Sequence, residues 1–85
     1  MALQLLYFSW VREAIGTGHE QVELPPGVDT VAALVAWLAA SSDGHARAFA
    51  DRSKLRAAVD QVFVPLTAPI AGAREIALFP PVTGG

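Results

Sequence analysis

The segment from residue 31 to residue 38 constrains the fold of this chain more than any other part of the sequence. Its apolar side chains recur at positions i, i+3, i+4 and i+7, at Val31, Leu34, Val35 and Leu38. This spacing predicts one apolar stripe along a helix, and Asp29 or Thr30 can cap the N-terminus of that helix. Because a helix cannot bury its stripe alone, the rest of the chain must supply the apolar layer that covers it.

Short apolar segments on both sides of this helix predict the strands of a sheet. The predicted strands run from Leu3 to Trp10, His19 to Leu24, Leu55 to Val59, Val62 to Leu66 and Glu75 to Phe79. In the first strand Leu3, Leu5 and Tyr7 share one face. Only Asp60 and Gln61 separate the third and fourth strands, which predicts a tight hairpin.

Two weaker helical segments complete the pattern. Residues 11–15 can form one helical turn that ends at Gly16, and residues 45–51 can form a short helix with Phe49 facing inward. The order predicts an α+β fold in which a mixed sheet packs on one main helix, and a β-grasp arrangement as in ubiquitin satisfies it. A ferredoxin-like arrangement fits less well because the second helix is weak and misplaced. We expect residues 1–79 to form the domain and residues 80–85 an extended tail.

Composition excludes several classes of function. A chain of 85 residues forms one modest core, so an enzyme pocket enclosed by its own walls is not expected. The net charge of −2 gives no indication of nucleic-acid binding, which usually requires a clustered basic face. There is no cysteine, and His19 and His45 lack metal-ligand spacing, so no bound metal is expected. No signal peptide or membrane-spanning run is recognised, which favours a cytoplasmic protein with no membrane partner.

The C-terminal residues carry the functional signal. Pro80 and Pro81 restrict the backbone, so the chain should leave the last strand extended and stiff. Gly84 and Gly85 have no side chains, so the tip can enter a channel that a Cβ would block. The α-carboxylate of Gly85 can then be activated as an acyl-adenylate. The structural alternative is that terminal glycines are merely disordered.

The ending Phe79-Pro80-Pro81-Val82-Thr83-Gly84-Gly85 resembles that of the small subunit of molybdopterin synthase, the MoaD family. Supporting matches lie in Leu6-Tyr7-Phe8, Val11-Arg12-Glu13, Ala57-Ala58-Val59-Asp60-Gln61 and Glu75-Ile76-Ala77-Leu78-Phe79. The resemblance spans nearly the whole chain, and the seven-residue ending is the part that is specific to this family. Asp60 departs from the asparagine that the family often has, at a turn remote from the chemistry.

The resemblance implies a sulfur carrier of the ubiquitin-like β-grasp type. An adenylating (E1-like) activating enzyme would use ATP on Gly85, and a sulfur donor would convert the adenylate to a thiocarboxylate. The tail, with Gly84, would enter the large subunit and deliver sulfur to cyclic pyranopterin monophosphate in molybdenum cofactor biosynthesis. The family assembles as a heterotetramer in which the large subunit supplies the catalytic pocket, and the carrier binds no cofactor of its own.

Several residues are expected to contact partner proteins. One helix covers only one face of a sheet, so aromatic rings on the other face can form an exposed patch. The expected partner-binding residues are Phe8, Phe63, Phe79, Pro80, Pro81, Val82, Thr83 and Arg12. Arg12, Lys54 and Arg56 could also steer an acidic partner or anionic substrate.

Two other kinds of function remain open. The first is a sulfur carrier for thiamine or tRNA thiolation, or a ubiquitin-like modifier joined to lysines, which would share the tail and differ in the client. The second is an interaction module whose diglycine has no chemistry. Intact mass after incubation with an activating enzyme, ATP and a sulfur source separates the carriers from the module.

Overall fold

A computed structural model describes residues 2–81 and contains five strands, three α-helices and one 3₁₀ helix. The strands are β1 (Leu3–Tyr7), β2 (His19–Val22), β3 (Arg56–Val59), β4 (Val62–Val64) and β5 (Glu75–Phe79). The helices are α1 (Ser9–Ile15), α2 (Val31–Ala39) and α3 (Asp43–Ala48), and the 3₁₀ helix is Arg52–Lys54. Within these residues no helix is long and apolar enough to cross a membrane.

The strands form one mixed sheet in the order β2-β1-β5-β3-β4. The central strands β1 and β5 are parallel, with Leu5 opposite Ile76, and the other pairs are antiparallel. The first and last strands therefore meet in the middle of the sheet, and the helices lie in the connection between them. This topology confirms the predicted β-grasp arrangement.

The predicted stripe of α2 forms the centre of the core. Val31, Leu34 and Val35 are fully buried, and Leu38 is 2% exposed. The hydroxyl of Thr30 accepts a hydrogen bond from the Ala33 amide at 3.1 Å, which identifies Thr30 rather than Asp29 as the cap. The other half of the core is the inner face of β1 and β5, with Leu3, Leu5, Tyr7, Ile76 and Leu78.

The predicted boundaries near the N-terminus are wrong. The first strand ends at Tyr7 instead of Trp10, and α1 begins at Ser9, so Trp10 is helical. Ser9 has a positive φ of 56°, which breaks the extended chain, and the Phe8 carbonyl accepts the first helical hydrogen bond from the Arg12 amide. The apolar run continues through this break, so hydrophobicity alone does not mark it. Gly16, with φ 97°, ends the helix as expected.

The other differences are shifts of element ends. The second strand stops at Val22, the third begins at Arg56, and the fourth stops at Val64, before Pro65, which has no N–H to donate to a strand partner. The second weak helix spans Asp43–Ala48 rather than 45–51, because the Ser42 hydroxyl accepts from the His45 amide and caps it there. Phe49 is 2% exposed and faces inward as predicted.

The predicted β3–β4 hairpin turns at Asp60 and Gln61. Their φ values are 48° and 72°, the two left-handed positions of a tight hairpin turn. The Asp60 carboxylate also accepts from the amides of Arg74 and Glu75 at 2.9 and 3.0 Å. The side-chain oxygen of an asparagine can accept the same two bonds, so aspartate and asparagine are both compatible with this turn.

Candidate functional site

The helices leave one face of the sheet uncovered, and this open face carries the aromatic residues predicted to be exposed. Residues directly opposite on neighbouring strands project to the same face. Ala58 pairs with Phe63 on β4 and with Ala77 on β5, and Arg56 pairs with Phe79. The topology thus brings residues from β3, β4 and β5 into one row beside the end of β1.

An apolar groove of about 450 Å³ lies on this open face, and we call it the aromatic groove. It is lined by Phe8, Ser9, Ala58, Phe63, Ala77, Phe79, Pro80 and Pro81. Phe63 is 76% exposed and Phe8 is 49% exposed, while Phe79 is half-buried. The rings of Phe63 and Phe79 are tilted against each other, with centroids 5.4 Å apart. The two alanines have short side chains, so they form the shallow floor between the rings.

The end of β5 joins the groove to the C-terminal tail. Phe79 is the last strand residue, and Pro80 and Pro81 line the groove directly after it. The chain therefore leaves the sheet along this apolar surface. Four residues with predicted roles, Val82, Thr83, Gly84 and Gly85, lie outside the described residues.

The aromatic groove is suited to binding and not to acid–base chemistry. Of the described residues that line it, only Ser9 has a polar side chain, and none is titratable. Exposed apolar area contributes about 25 cal/mol per Å² when a partner removes it from water. A contiguous patch with several aromatic rings is typical of a protein–protein contact.

Arg12 lies apart from this groove. It is exposed near the end of α1, where its carbonyl accepts from the Gly16 amide at 2.8 Å, and it is not among the lining residues. The structure thus brings together the predicted residues Phe8, Phe63, Phe79, Pro80 and Pro81, and leaves Arg12 outside their groove.

Sequence reasoning missed a polar cluster on the other side of the sheet. His45 is 8% exposed, and its Nε2 lies 2.6 Å from Oε1 of Glu20. The Tyr7 hydroxyl donates to the same oxygen at 2.7 Å. The Ser42 hydroxyl lies 2.6 Å from Nδ1 of His45. We call these four residues the Glu20 cluster; it joins α3 to β1 and β2.

The environment of the Glu20 cluster shifts two pKa values. Burial raises the pKa of Tyr7, and the hydrogen bond to Glu20 and its negative charge raise it further. Burial works to raise the pKa of Glu20, but the hydrogen bonds with His45 and Tyr7 outweigh it and hold that pKa below its ordinary value. Glu20 is therefore a carboxylate that accepts from both neighbours.

The Glu20 cluster is structural in character, although it contains a serine, a histidine and an acid. The Ser42 hydroxyl caps α3, and the imidazole of His45 packs beside the rings of Tyr7 and Phe49. Twenty-five positions separate Glu20 from His45, so no local spacing in the sequence predicts their contact. Among the described residues no group of three or more histidine, aspartate or glutamate side chains can hold a metal ion.

Comparison with known proteins decides the family. The profile of the ThiS family matches residues 5–85. The chain belongs to the ThiS family. It is 43% identical over 83 residues to the molybdopterin synthase sulfur carrier subunit of Escherichia coli K12, a match that covers 98% of this chain and 99% of that protein. The protein of the same name from Haemophilus influenzae is 37% identical over 83 residues, with the same coverage.

Solved structures support the fold of this ThiS-family chain. SAMP1 from Haloferax volcanii superposes with a TM-score of 0.73 over 100% of both chains, at 24% sequence identity. At this identity the match shows the fold alone. It agrees with the β-grasp topology that the strand order establishes.

Proposed function

We propose that this ThiS-family chain is the sulfur carrier subunit of a molybdopterin synthase. In this proposal an adenylating enzyme uses ATP to activate the carboxylate of Gly85, and a sulfur donor converts it to a thiocarboxylate. The carrier then delivers sulfur to cyclic pyranopterin monophosphate, a step in the biosynthesis of the molybdenum cofactor. The two relatives named molybdopterin synthase sulfur carrier subunit, matched over nearly their full length, support this assignment.

The observation that carries the proposal is the position of the aromatic groove. It lies where Pro80 and Pro81 leave β5, so a protein that binds the groove contacts the chain immediately before its last four residues in sequence. The groove itself has no titratable side chain among its described lining residues. This arrangement suits a carrier, because its own domain provides the binding surface and the partner provides the catalytic pocket.

We propose that the large subunit of the synthase binds the aromatic groove. Phe8, Phe63 and Phe79 would be its apolar anchors, because interface energy concentrates in a few well-packed aromatic side chains. The tail, residues 80–85, would extend from the domain, residues 1–79, into the pocket of that subunit. Arg12 would contact a partner outside the groove. The complete assembly would be the heterotetramer that the resemblance implies, and it would act in the cytoplasm.

The chemistry is proposed to depend on the terminal glycines. Attack by the Gly85 carboxylate on the α-phosphate of ATP forms an acyl-adenylate and releases pyrophosphate. A sulfur nucleophile then displaces AMP. Gly84 keeps the approach free of a Cβ where the channel would be narrowest.

The decisive experiment measures molybdopterin formed from cyclic pyranopterin monophosphate by thiocarboxylated protein and the large subunit. Intact mass first verifies that one oxygen of the terminus has been exchanged for sulfur. Deleting Gly85 withdraws the carboxylate by about 3.5 Å, and a misplacement of ~1 Å can already cost about 100-fold in rate. We expect the deletion to abolish activity, Gly84→Ala to reduce it strongly, and Thr83→Ser, the matched tail control, to retain it. Full activity of the deletion would refute the sulfur-carrier function.

Membership in the ThiS family also supports a second candidate, a carrier that supplies a different sulfur acceptor in thiamine or tRNA thiolation. The same thiocarboxylated protein separates the two candidates. A carrier for another pathway would form the thiocarboxylate normally and fail to convert the pyranopterin with a competent large subunit.

A further inference from the structure

Positive charge is concentrated in one short stretch of this chain, residues 47–56. Four of its six cationic residues lie there, Arg47, Arg52, Lys54 and Arg56, and all four are exposed. The same stretch contains a single acid, Asp51, although the whole chain has a net charge of −2. A local basic surface on a net acidic domain favours the orientation in which it faces an anionic surface.

The fold places one residue of this stretch, Arg56, beside the aromatic groove. Arg56 lies directly opposite Phe79 on the neighbouring strand, so both residues are on the open face of the sheet. Phe79 lines the groove, and Pro80 follows it into the tail. A protein that covers the aromatic groove therefore comes within reach of Arg56.

A second, smaller groove of about 220 Å³ adjoins Arg56, and we call it the arginine groove. It is lined by Arg52, Leu55, Arg56, Val64, Pro65 and Leu66. Nη1 of Arg56 donates to the carbonyl oxygens of Ser53 and Leu55 at 3.2 and 3.0 Å, which holds the side chain in place. Its other N–H groups have no hydrogen-bond partner among the described residues and can bind an anion. The two bonds from Nη1 order the guanidinium before a ligand arrives.

No acid of the described chain neutralises these arginines. Within residues 2–81 the one ion pair is that of His45 with Glu20. The nearby Asp51 accepts from the amide of Ser53 and caps the 3₁₀ helix. The hydrogen bonds from Ser53 hold the pKa of Asp51 below its ordinary value, although the side chain is exposed. Among residues 2–81 no carboxylate pairs with Arg52 or Arg56, so both guanidinium groups are available to an anion from a partner.

We propose that Arg52 and Arg56 bind carboxylates of an acidic segment of the same protein that covers the aromatic groove. Guanidinium groups match carboxylates with paired hydrogen bonds, and interfaces place such charged contacts around an apolar centre. Within the described part of the chain the two grooves share no lining residue, but Arg56 of the arginine groove lies directly opposite Phe79 of the aromatic groove on the neighbouring strand. This inference rests on the proposed function, because it assigns the acidic segment to the large subunit. Its effect is on the rate and orientation of docking, since charges at the edge of an interface act mainly on association.

The test measures the association rate constant of the full chain with the molybdopterin synthase large subunit by stopped-flow fluorescence. Arg56→Glu and Arg52→Glu are compared with Arg74→Glu, an exposed arginine at the opposite end of β5 that provides the same change of charge. We expect each substitution in the arginine groove to slow association about tenfold at low salt, and Arg74→Glu to slow it less than about twofold. The difference should shrink in 1 M salt, where charges are screened within ~3 Å. Thermal melting verifies that each variant is folded.

The outcomes separate the inference from the proposed function. Equal association rates for wild type, Arg56→Glu and Arg52→Glu at low salt would overturn the inference while the function stands. Failure of the wild-type chain to bind the large subunit would overturn both. NMR titration with hexaglutamate or with inorganic phosphate identifies the anion. If the amide resonances of residues 52–56 shift with phosphate and not with hexaglutamate, the proposal that these arginines bind an acidic protein segment is refuted.

Discussion

Replacing Glu20 by alanine tests whether the Glu20 cluster stabilises the domain. One oxygen of Glu20 accepts from the Tyr7 hydroxyl at 2.7 Å and lies 2.6 Å from Nε2 of His45. The substitution leaves two donors without a partner, and Tyr7 is 1% and His45 8% exposed. An unsatisfied buried donor costs about 1–3 kcal/mol.

The position of Glu20 narrows the expected loss of stability. Its side chain is 31% exposed, so water can enter the vacated space and partly satisfy both donors. We therefore take the low end of the range for each donor and expect a loss of about 2–3 kcal/mol for Glu20→Ala. For a domain of this size that corresponds to a fall in melting temperature of roughly 10–20 °C.

Urea unfolding followed by circular dichroism measures this loss, and two variants provide its controls. Glu23→Ala removes an exposed acid just after β2 and should change stability by less than about 0.5 kcal/mol. Tyr7→Phe removes one donor and keeps the packing, so it should cost about 1 kcal/mol. A loss below about 0.5 kcal/mol for Glu20→Ala would show that the cluster contributes nothing and that our accounting of its hydrogen bonds is wrong.

Four further predictions follow from the same structure. Leu34→Ala, at a fully buried position of α2, should lower the free energy of unfolding in urea by about 2–5 kcal/mol. A loss under ~0.5 kcal/mol would show that Leu34 does not belong to the core. Gly44→Ala should cost about 1–3 kcal/mol, since its Cβ would lie 2.7 Å from the Ala14 carbonyl oxygen, and an unchanged melting temperature would contradict that contact. Because Phe63 is 76% exposed, Phe63→Ala should change stability by less than about 1 kcal/mol but weaken binding to the large subunit by about 2 kcal/mol in calorimetry. Unchanged affinity would show that Phe63 is not part of the interface. Because folding lowers the pKa of Glu20, the stability that its carboxylate contributes is complete above the ordinary pKa of 4.5 and is lost as pH falls through the pKa in the folded state. The wild type should therefore lose more stability than Glu20→Gln between pH 5 and about pH 3, and parallel curves of stability against pH would contradict this prediction.

The sequence by itself determined the features that depend on neighbouring residues. The period of Val31, Leu34, Val35 and Leu38 predicted the core helix, and the two residues between β3 and β4 predicted a hairpin whose turn has the required positive φ values. The bounds of the last strand, Glu75–Phe79, were also predicted correctly. These features follow from side-chain period and turn chemistry, which act over a few residues.

The tertiary structure decided where the predicted residues meet. The aromatic groove exists because β5 lies between β1 and β3, which brings Phe8, Phe63 and Phe79 together from three distant segments. The contact of Glu20 with His45 depends on the packing of α3 beside β2 and leaves no periodic trace in the sequence. The start of α1 at Ser9 was likewise missed, because the apolar run continues across the break. Side-chain patterns specify which face of an element is buried, whereas the neighbours across that face are chosen by chain topology.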